Sequence, residues 1–276
     1  MLIALMLLGC TPSSDDTSVE DLDTSPDRDP VPLTLIAFNI EGRESSVAGL
    51  AETAMDEVVG EAIWGLSEVT SPRLLRDLAE VAGGEDEPFE SVLGTTGSSL
   101  RLALLWDPTQ VTLDESWELE ALNIGGTGRA PLVGSFRTVE TDVPFVVVVN
   151  HLWRSEDRYR HEQAEGLNLW VQEQDLPAIA LGDFNFDWVV PGGEDDHDRG
   201  YDLMTEDDHW VWLRPDELIM TQCNARYSSV LDFVFVANAA QDWTAESTIR
   251  NPNNSYCRDD DERSDHRPVQ ADILIP

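Results

Sequence analysis

The sequence predicts one layered domain of α/β (α+β) class, with sheets inside and helices outside. Three observations carry this reading. Short apolar runs alternate with polar connections from residue 33 onward. Segments with helical spacing separate some of these runs, while the middle of the chain reads as consecutive strands. Hydrophobic residues make up 41% of the 276, enough for one large core.

LTLIAF (33–38) opens the domain as a buried strand. Residues 44–60 carry Val47, Leu50, Ala54 and Val58 at helical spacing. AIWGLSEV (62–69) is strand-like, and SPRLLRDLAEVAGG then starts a helix with Ser71 as N-cap and Pro72 in its first turn, stopping at Gly83 and Gly84. Strands are expected at 100–107, 111–119 and 131–140. PFVVVVNHL (144–152) is β-branched enough to be buried on both faces. An amphipathic helix follows at 155–174, and AIALGDFN (178–185), VLDFVFVAN (230–238) and PVQADILI (268–275) complete the strands.

The chain begins MLIALMLLGC, whose apolar run is too short to cross a bilayer. Leu7-Leu8-Gly9-Cys10 resembles a bacterial lipoprotein signal, with Cys10 as the lipidated residue, although no basic residue precedes the run. Residues 11–32 are rich in Ser, Thr, Asp and Pro and read as a disordered acidic linker. The expectation is a signal segment at 1–10, a tether at 11–32 and a folded domain at 33–276. Such a protein is exported, outer membrane-anchored or extracellular, and meets the membrane only through its lipid. With Cys10 lipidated, Cys223 and Cys257 remain as a pair that an exported protein could bridge; two free thiols are the alternative.

The net charge is −37, and all seventeen basic residues are arginine. Residues 11–30 hold seven acids and one Arg, so the acidity belongs to the folded domain. It serves solubility and repels polyanions and anionic headgroups at long range. An anionic substrate therefore needs a local attractor, either an arginine cluster or a bound metal.

Polar residues gather at strand ends. Asn39 and Glu41 follow the first strand in FNIEG, Glu68 ends the second, and Asn150 and His151 end VVVVNHL. Asp183 and Asn185 stand in LGDFN, and Asp265 and His266 precede the last strand in SDHRP. Asp232 lies inside the apolar VLDFVFV, where a buried charge needs a partner. Singly, each has a bland reading: GDFN is turn chemistry, and a lone strand-end His is more often structural. In series they would converge on one rim of a sheet core.

FNIEG, SEV, NHL, GDFN, LDFVFV and SDHRP, in this order over residues 33–276, resemble the endonuclease/exonuclease/phosphatase superfamily, with its deoxyribonuclease-I-like fold. The resemblance implies a four-layer sandwich of two packed mixed β-sheets flanked by helices, with the site at one end of the sheets. It implies divalent-metal-dependent cleavage of a phosphoester by activated water. Glu68 matches the principal metal-binding residue and Asp265 a further one, with Asn39 and Glu41 beside the metal. His151 matches the phosphate-contacting His, and Asp183 and Asn185 match the pair that aligns water and phosphate. His266 matches the general base, or in some readings a phosphate-polarising acid, and Asp232 the carboxylate that orients it. Ser67 departs from the pattern, since many members carry Gln there.

Bare anions at Glu41, Glu68, Asp183 and Asp265 would raise one another's pKa on a shared rim. A hard cation with oxygen ligands resolves that conflict; Mg²⁺ is the natural choice, with Mn²⁺ or Ca²⁺ as alternatives. Arg101 and Asn150 are candidate phosphate contacts. Arg154, Arg158, Arg226 and Arg267 lie near the motifs, against the ordinary reading of each as a surface ion pair. His161, His197 and His209 match no motif, and PGGEDDHDRG (191–200) reads as an acidic surface loop. The leading expectation is a monomeric nuclease. The alternatives are a phosphatase or phosphodiesterase on a small molecule or phospholipid headgroup, and a non-catalytic binding module.

Overall fold

The computed structural model describes residues 29–52, 61–83, 89–224, 227–253, 256–257 and 262–276. Cys10, Arg226 and most of the signal and linker segments lie outside the described residues. The first half of the chain forms β1 (Val31–Asn39), α1 (Val47–Leu50), β2 (Glu61–Val69), α2 (Pro72–Gly83), β3 (Glu90–Leu93), β4 (Arg101–Trp106), β5 (Val111–Glu118) and β6 (Leu132–Thr138). The second half forms β7 (Pro144–His151), α3 (Asp157–Val171), β8 (Ala178–Val189), α4 (Arg199–Thr205), β9 (Trp210–Trp212), β10 (Ser229–Ala237), β11 (Thr244–Ile249) and β12 (Val269–Ile275).

Among the described residues the strands form two six-stranded sheets, ordered β11-β12-β1-β2-β4-β3 and β5-β6-β7-β8-β10-β9. Each holds one parallel pair, β1 with β2 and β7 with β8; the other pairings are antiparallel. Strand alternation divides the apolar residues between two cores. Leu33, Leu35 and Ala37 of β1 face the second sheet, whereas Ile36 and Phe38 face the opposite way. On that outer side α2 adds Leu75, Leu78 and Ala79. Its start is capped as the sequence suggests, with Leu74 N–H donating to Ser71 Oγ at 3.1 Å. On the far side α3 adds Ala164, Leu167 and Val171. The result is helix, sheet, sheet, helix, the predicted four-layer sandwich.

β7 is buried on both faces as its β-branched run requires. Val146, Val147, Val148 and Val149 are at most 2% exposed, and four buried valines contribute about 6 kcal/mol. The sheets meet tightly at Gly65, where a Cβ would lie 1.9 Å from Leu181 Cδ1.

Some elements differ from the expectation. β1 starts at Val31, two residues before the predicted 33. Of the helix expected at 44–60, only Val47–Leu50 is α-helical within the described residues; 53–60 lie outside them. β3, α4, β9 and β11 were not anticipated. The acidic stretch 191–200 ends in structure, because Asp198 caps α4 by accepting from Gly200 N–H at 2.7 Å. Cys223 and Cys257 are joined by a disulfide.

Candidate active site

Topology explains why distant motifs meet. Parallel strands end together, so Asn39 pairs with Ser67 beside Glu68, and His151 pairs with Asp183. Antiparallel strands place one start beside the other's end. Asp232 therefore lies opposite Asp183 across β8 and β10, and the approach to β12 lies beside the end of β1. The two sheets join at this rim: Asn39 of the first donates to Asp183 Oδ2 of the second at 3.1 Å.

The rim encloses a cleft of about 310 Å³. Asn39, Glu41, Glu68, His151, Asp183, Asn185, Asp265 and His266 all line it, as the strand-end reading expects. Asp232 lies behind, 1% exposed, with its Oδ2 2.7 Å from His266 Nδ1. That bond leaves His266 Nε2 directed to Asp183 and Asp265, at 3.9 and 3.8 Å. The His266 backbone N–H donates to Ser264 Oγ, which in turn donates to the Asn39 carbonyl, so both sheets fix its position.

Backbone conformation also marks the rim. Glu41, Glu68 and Asn185 adopt positive φ of 46°, 64° and 54° without being glycine. Such residues are uncommon and persist where the surroundings over-determine them. Glu68 lies within a register break between β2 and β4, and Asp232 follows one between β10 and β8. Bulges of this kind re-aim side chains.

The electrostatics are those of crowded carboxylates. Burial and the neighbouring Asp265 push Glu41 up to about 7. Burial and Asp232 push Asp183 up to about 7. Burial alone would lower His266, but Asp232, Asp183 and Asp265 overcome it and raise the imidazole to about 10. His151 is held well below its ordinary value by burial and by Arg129, His266 and Arg154, so it is neutral. Its Nδ1 is buried without a hydrogen-bond partner, 3.8 Å from Glu68 Oε1.

These groups fit a divalent cation. Glu41, Glu68 and Asp265 offer hard carboxylate oxygens on one wall, and burial with neighbouring carboxylates holds Glu41 and Asp183 above their ordinary values, a crowding that a bound cation would relieve. Asp183, Asp232 and His266 also present ligand atoms within 4.8 Å of one another. Of these, His266 Nδ1 is committed to Asp232 and Asp183 is shared with Asn39, so hydrogen bonding already uses much of this inner group. Asn39 is likewise committed: its oxygen accepts from Glu41 N–H and its amide holds Asp183, which makes it a positioning residue.

Two candidates fall elsewhere. Asn150 is fully buried with its amide on the Val148 carbonyl. Val149 faces Gly65 of the other sheet, so alternation turns His151 to the cleft and Asn150 to the opposite face. Arg101 shares parity with Ala103 and Leu105, which join the core on the α2 side, and it does not line the cleft. Among the other arginines, Arg154 reaches the cleft, Arg158 pairs with Glu162, and Arg267 is buried on the Asn251 and Met220 carbonyls.

The cleft also takes Gln222, Tyr227, Ser155 and Asp187, which the sequence reading did not single out. Gln222 donates to Asp265 Oδ2 at 2.6 Å. Asp187 continues the alternation of Asp183 and Asn185, a signal that was present in GDFNFD. Arg129 was also missed; its guanidinium lies 3.9 Å from Glu68. It sits in a loop before β6, where no periodicity points to it.

No protein-family model and no curated protein matches the chain. Solved structures do. An endonuclease/exonuclease/phosphatase family protein from Bacteroides thetaiotaomicron matches at 18% identity and a TM-score of 0.67, over 90% of this chain and 100% of its own. A mannosyl-6-phosphatase from the same species matches at 18% identity and 0.63, over 88% and 100%. TDP2 from D. rerio, solved with a single-strand DNA product, matches at 14% identity and 0.66, over 88% and 98%. At such identities the likeness is one of fold, the deoxyribonuclease-I-like sandwich.

Proposed function

We propose that the protein is an exported, divalent-metal-dependent hydrolase of phosphoester bonds. The observation that carries this is the buried Asp232–His266 pair, 2.7 Å apart, at the edge of a cleft walled by Glu41, Glu68 and Asp265. Glu68 and Asp265, with Glu41, would hold Mg²⁺, which supplies charge neutralisation at the phosphate and acidification of a water. Asp232 fixes the imidazole with Nδ1 toward itself and stabilises its charged form, leaving Nε2 to face the cleft. Neutral His151 offers its unpartnered Nδ1 to a phosphate oxygen. Asp183 and Asn185 orient the attacking water from the same strand. Proton transfer through His266 is worth roughly a hundred- to ten-thousand-fold in rate. Export, with Cys10 as a lipid anchor, rests on the N-terminal sequence, and the Cys223–Cys257 disulfide suits an oxidising compartment.

Nuclease action is the first reading. The small-phosphoester reading is favoured by one observation: among the described residues the cleft lining carries a single arginine, Arg154, whereas a long polymer needs a run of phosphate contacts. The test incubates the purified protein with supercoiled plasmid, short oligonucleotides and sugar phosphates, with Mg²⁺ or EDTA, beside His266→Ala. Hydrolysis lost in EDTA and in the variant supports the proposal; undiminished hydrolysis by His266→Ala sinks the assignment of proton transfer to His266.

A further inference from the structure

Beside the cleft lies a second cavity of about 320 Å³, sharing Glu68, His151, Arg154 and Ser155 with it. Its own walls carry Arg43, Arg129 and Trp153. Three guanidiniums around one small cavity are costly, because like charges repel across it. Burial above all, with Arg43 adding, holds the Arg129 guanidinium below its ordinary pKa against the pull of Glu68 and Asp183.

Elsewhere in this acidic chain arginines pair closely with carboxylates: Arg137 with Asp114 at 2.9 Å, Arg160 with Asp198 at 2.6 Å, Arg214 with Glu194 at 2.5 Å. The cavity arginines do not. Arg129 has only Glu68, at 3.9 Å. Arg43 donates to Ser99 Oγ at 2.5 Å, and Arg154 lies 5.9 Å over the Tyr227 ring; neither has a carboxylate within 4 Å among the described residues. The Trp153 indole N–H donates to the Ile124 carbonyl at 3.2 Å, so the ring is a fixed wall. Planar, permanently charged forks with no close carboxylate partner are matched by the oxygens of a phosphate.

We propose that this cavity is a subsite for a second phosphate of the substrate, so that the protein prefers phosphoesters with two neighbouring phosphates over isolated ones. The proposal rests on the phosphoesterase reading above. It names a chemistry that a short oligonucleotide and a small bisphosphate share.

The test has a binding arm and a selectivity arm. In the first, inorganic phosphate is titrated calorimetrically into the protein in EDTA at low salt, where the carboxylate-lined cleft repels it. Saturable binding is expected, weakened about tenfold in Arg43→Gln. In the second, with Mg²⁺, kcat/KM is compared for a dinucleoside monophosphate with and without an added 5′-phosphate, and for a sugar monophosphate and bisphosphate. The doubly phosphorylated partner is expected to win by about tenfold in whichever pair is hydrolysed, with the ratio falling toward one in Arg43→Gln. The pair that shows the preference identifies the source. Absent binding, or equal binding by Arg43→Gln, beside normal hydrolysis overturns the proposal alone, as does a ratio near one in the unmodified protein. Phosphate binding with no hydrolysis of any substrate overturns the phosphoesterase reading, and the substrate role with it.

Discussion

His266 is held by a carboxylate behind it and faced by two in front, and its raised pKa follows from that setting. Removing the rear charge should move it most directly. In Asp232→Asn the imidazole is expected to titrate well below its present value of about 10, read by NMR of its ring protons; a titration that stays there would show that the front carboxylates suffice. His266→Ala is expected to lower kcat by roughly a hundred- to ten-thousand-fold. Gly182 has a structural duty beside Asp183. Its φ is 131°, and a Cβ would lie 2.1 Å from the Asn150 carbonyl oxygen. Gly182→Ala should cost about 3 kcal/mol in urea unfolding, through strain and a backbone clash. At this scale the sequence was most legible where a polar residue ended an apolar strand, as at Glu68, His151 and Asp183. It was least legible where the deciding fact was strand parity, as at Asn150 and Arg101, or a loop's path, as at Arg129.

Two connections between elements hold the rim in shape. The disulfide ties the segment before β10 to the loop before β12. Beside it Cys223 N–H donates to the Asp265 carbonyl at 2.6 Å, and Gln222 to its carboxylate. Reduction opens a loop with a sequence separation of 34, costing about 4 kcal/mol in the chain-entropy account. The expected outcome is a lower Tm and a lower kcat in dithiothreitol, both restored on reoxidation. The second is Asp198, which caps α4 and accepts from Arg160 at 3.0 and 2.6 Å, while Arg160 is 3% exposed. Burial would raise Asp198, but Arg160 and Gly200 N–H outweigh it and hold its carboxyl below its ordinary pKa. Its stabilisation is therefore present above the unfolded carboxyl pKa and lost as pH falls through the folded one. Asp198→Ala should cost about 2 kcal/mol at pH 7, by leaving the buried Arg160 with only the exposed Asp157 and two carbonyls as partners, and less in acid. Strong apolar runs revealed their strands in the sequence. Short or edge elements such as β9 and β11 did not, because β11 buries few of its side chains and pairs only with β12.

Over the whole molecule, the acidic groups near the cleft couple stability to pH and to cations. Glu41 and Asp183 titrate near 7 in the fold but lower when unfolded. Between the two values the folded state binds more protons, so stability falls as pH rises through this window. Mg²⁺ should reverse that loss, raising Tm more at pH 8 than at pH 5; at a hundredfold excess over its Kd the gain is about 2.7 kcal/mol. Equal shifts at both pH values would place the cation elsewhere. The sandwich as a whole was readable because the alternation of strand and helix patterns, and the order of the motifs, run through nearly the whole domain. The two-sheet split was not readable from burial alone, since β1 and β2 are apolar on both faces and feed two cores at once.

β1 also gives the domain a front and a back. It runs nine residues from Val31 to Asn39, about 30 Å, and Asn39 is at the cleft. Whatever precedes Val31 therefore joins the domain at the face opposite the cleft. The proposed anchor at Cys10 would therefore attach behind the domain and leave the cleft unobstructed.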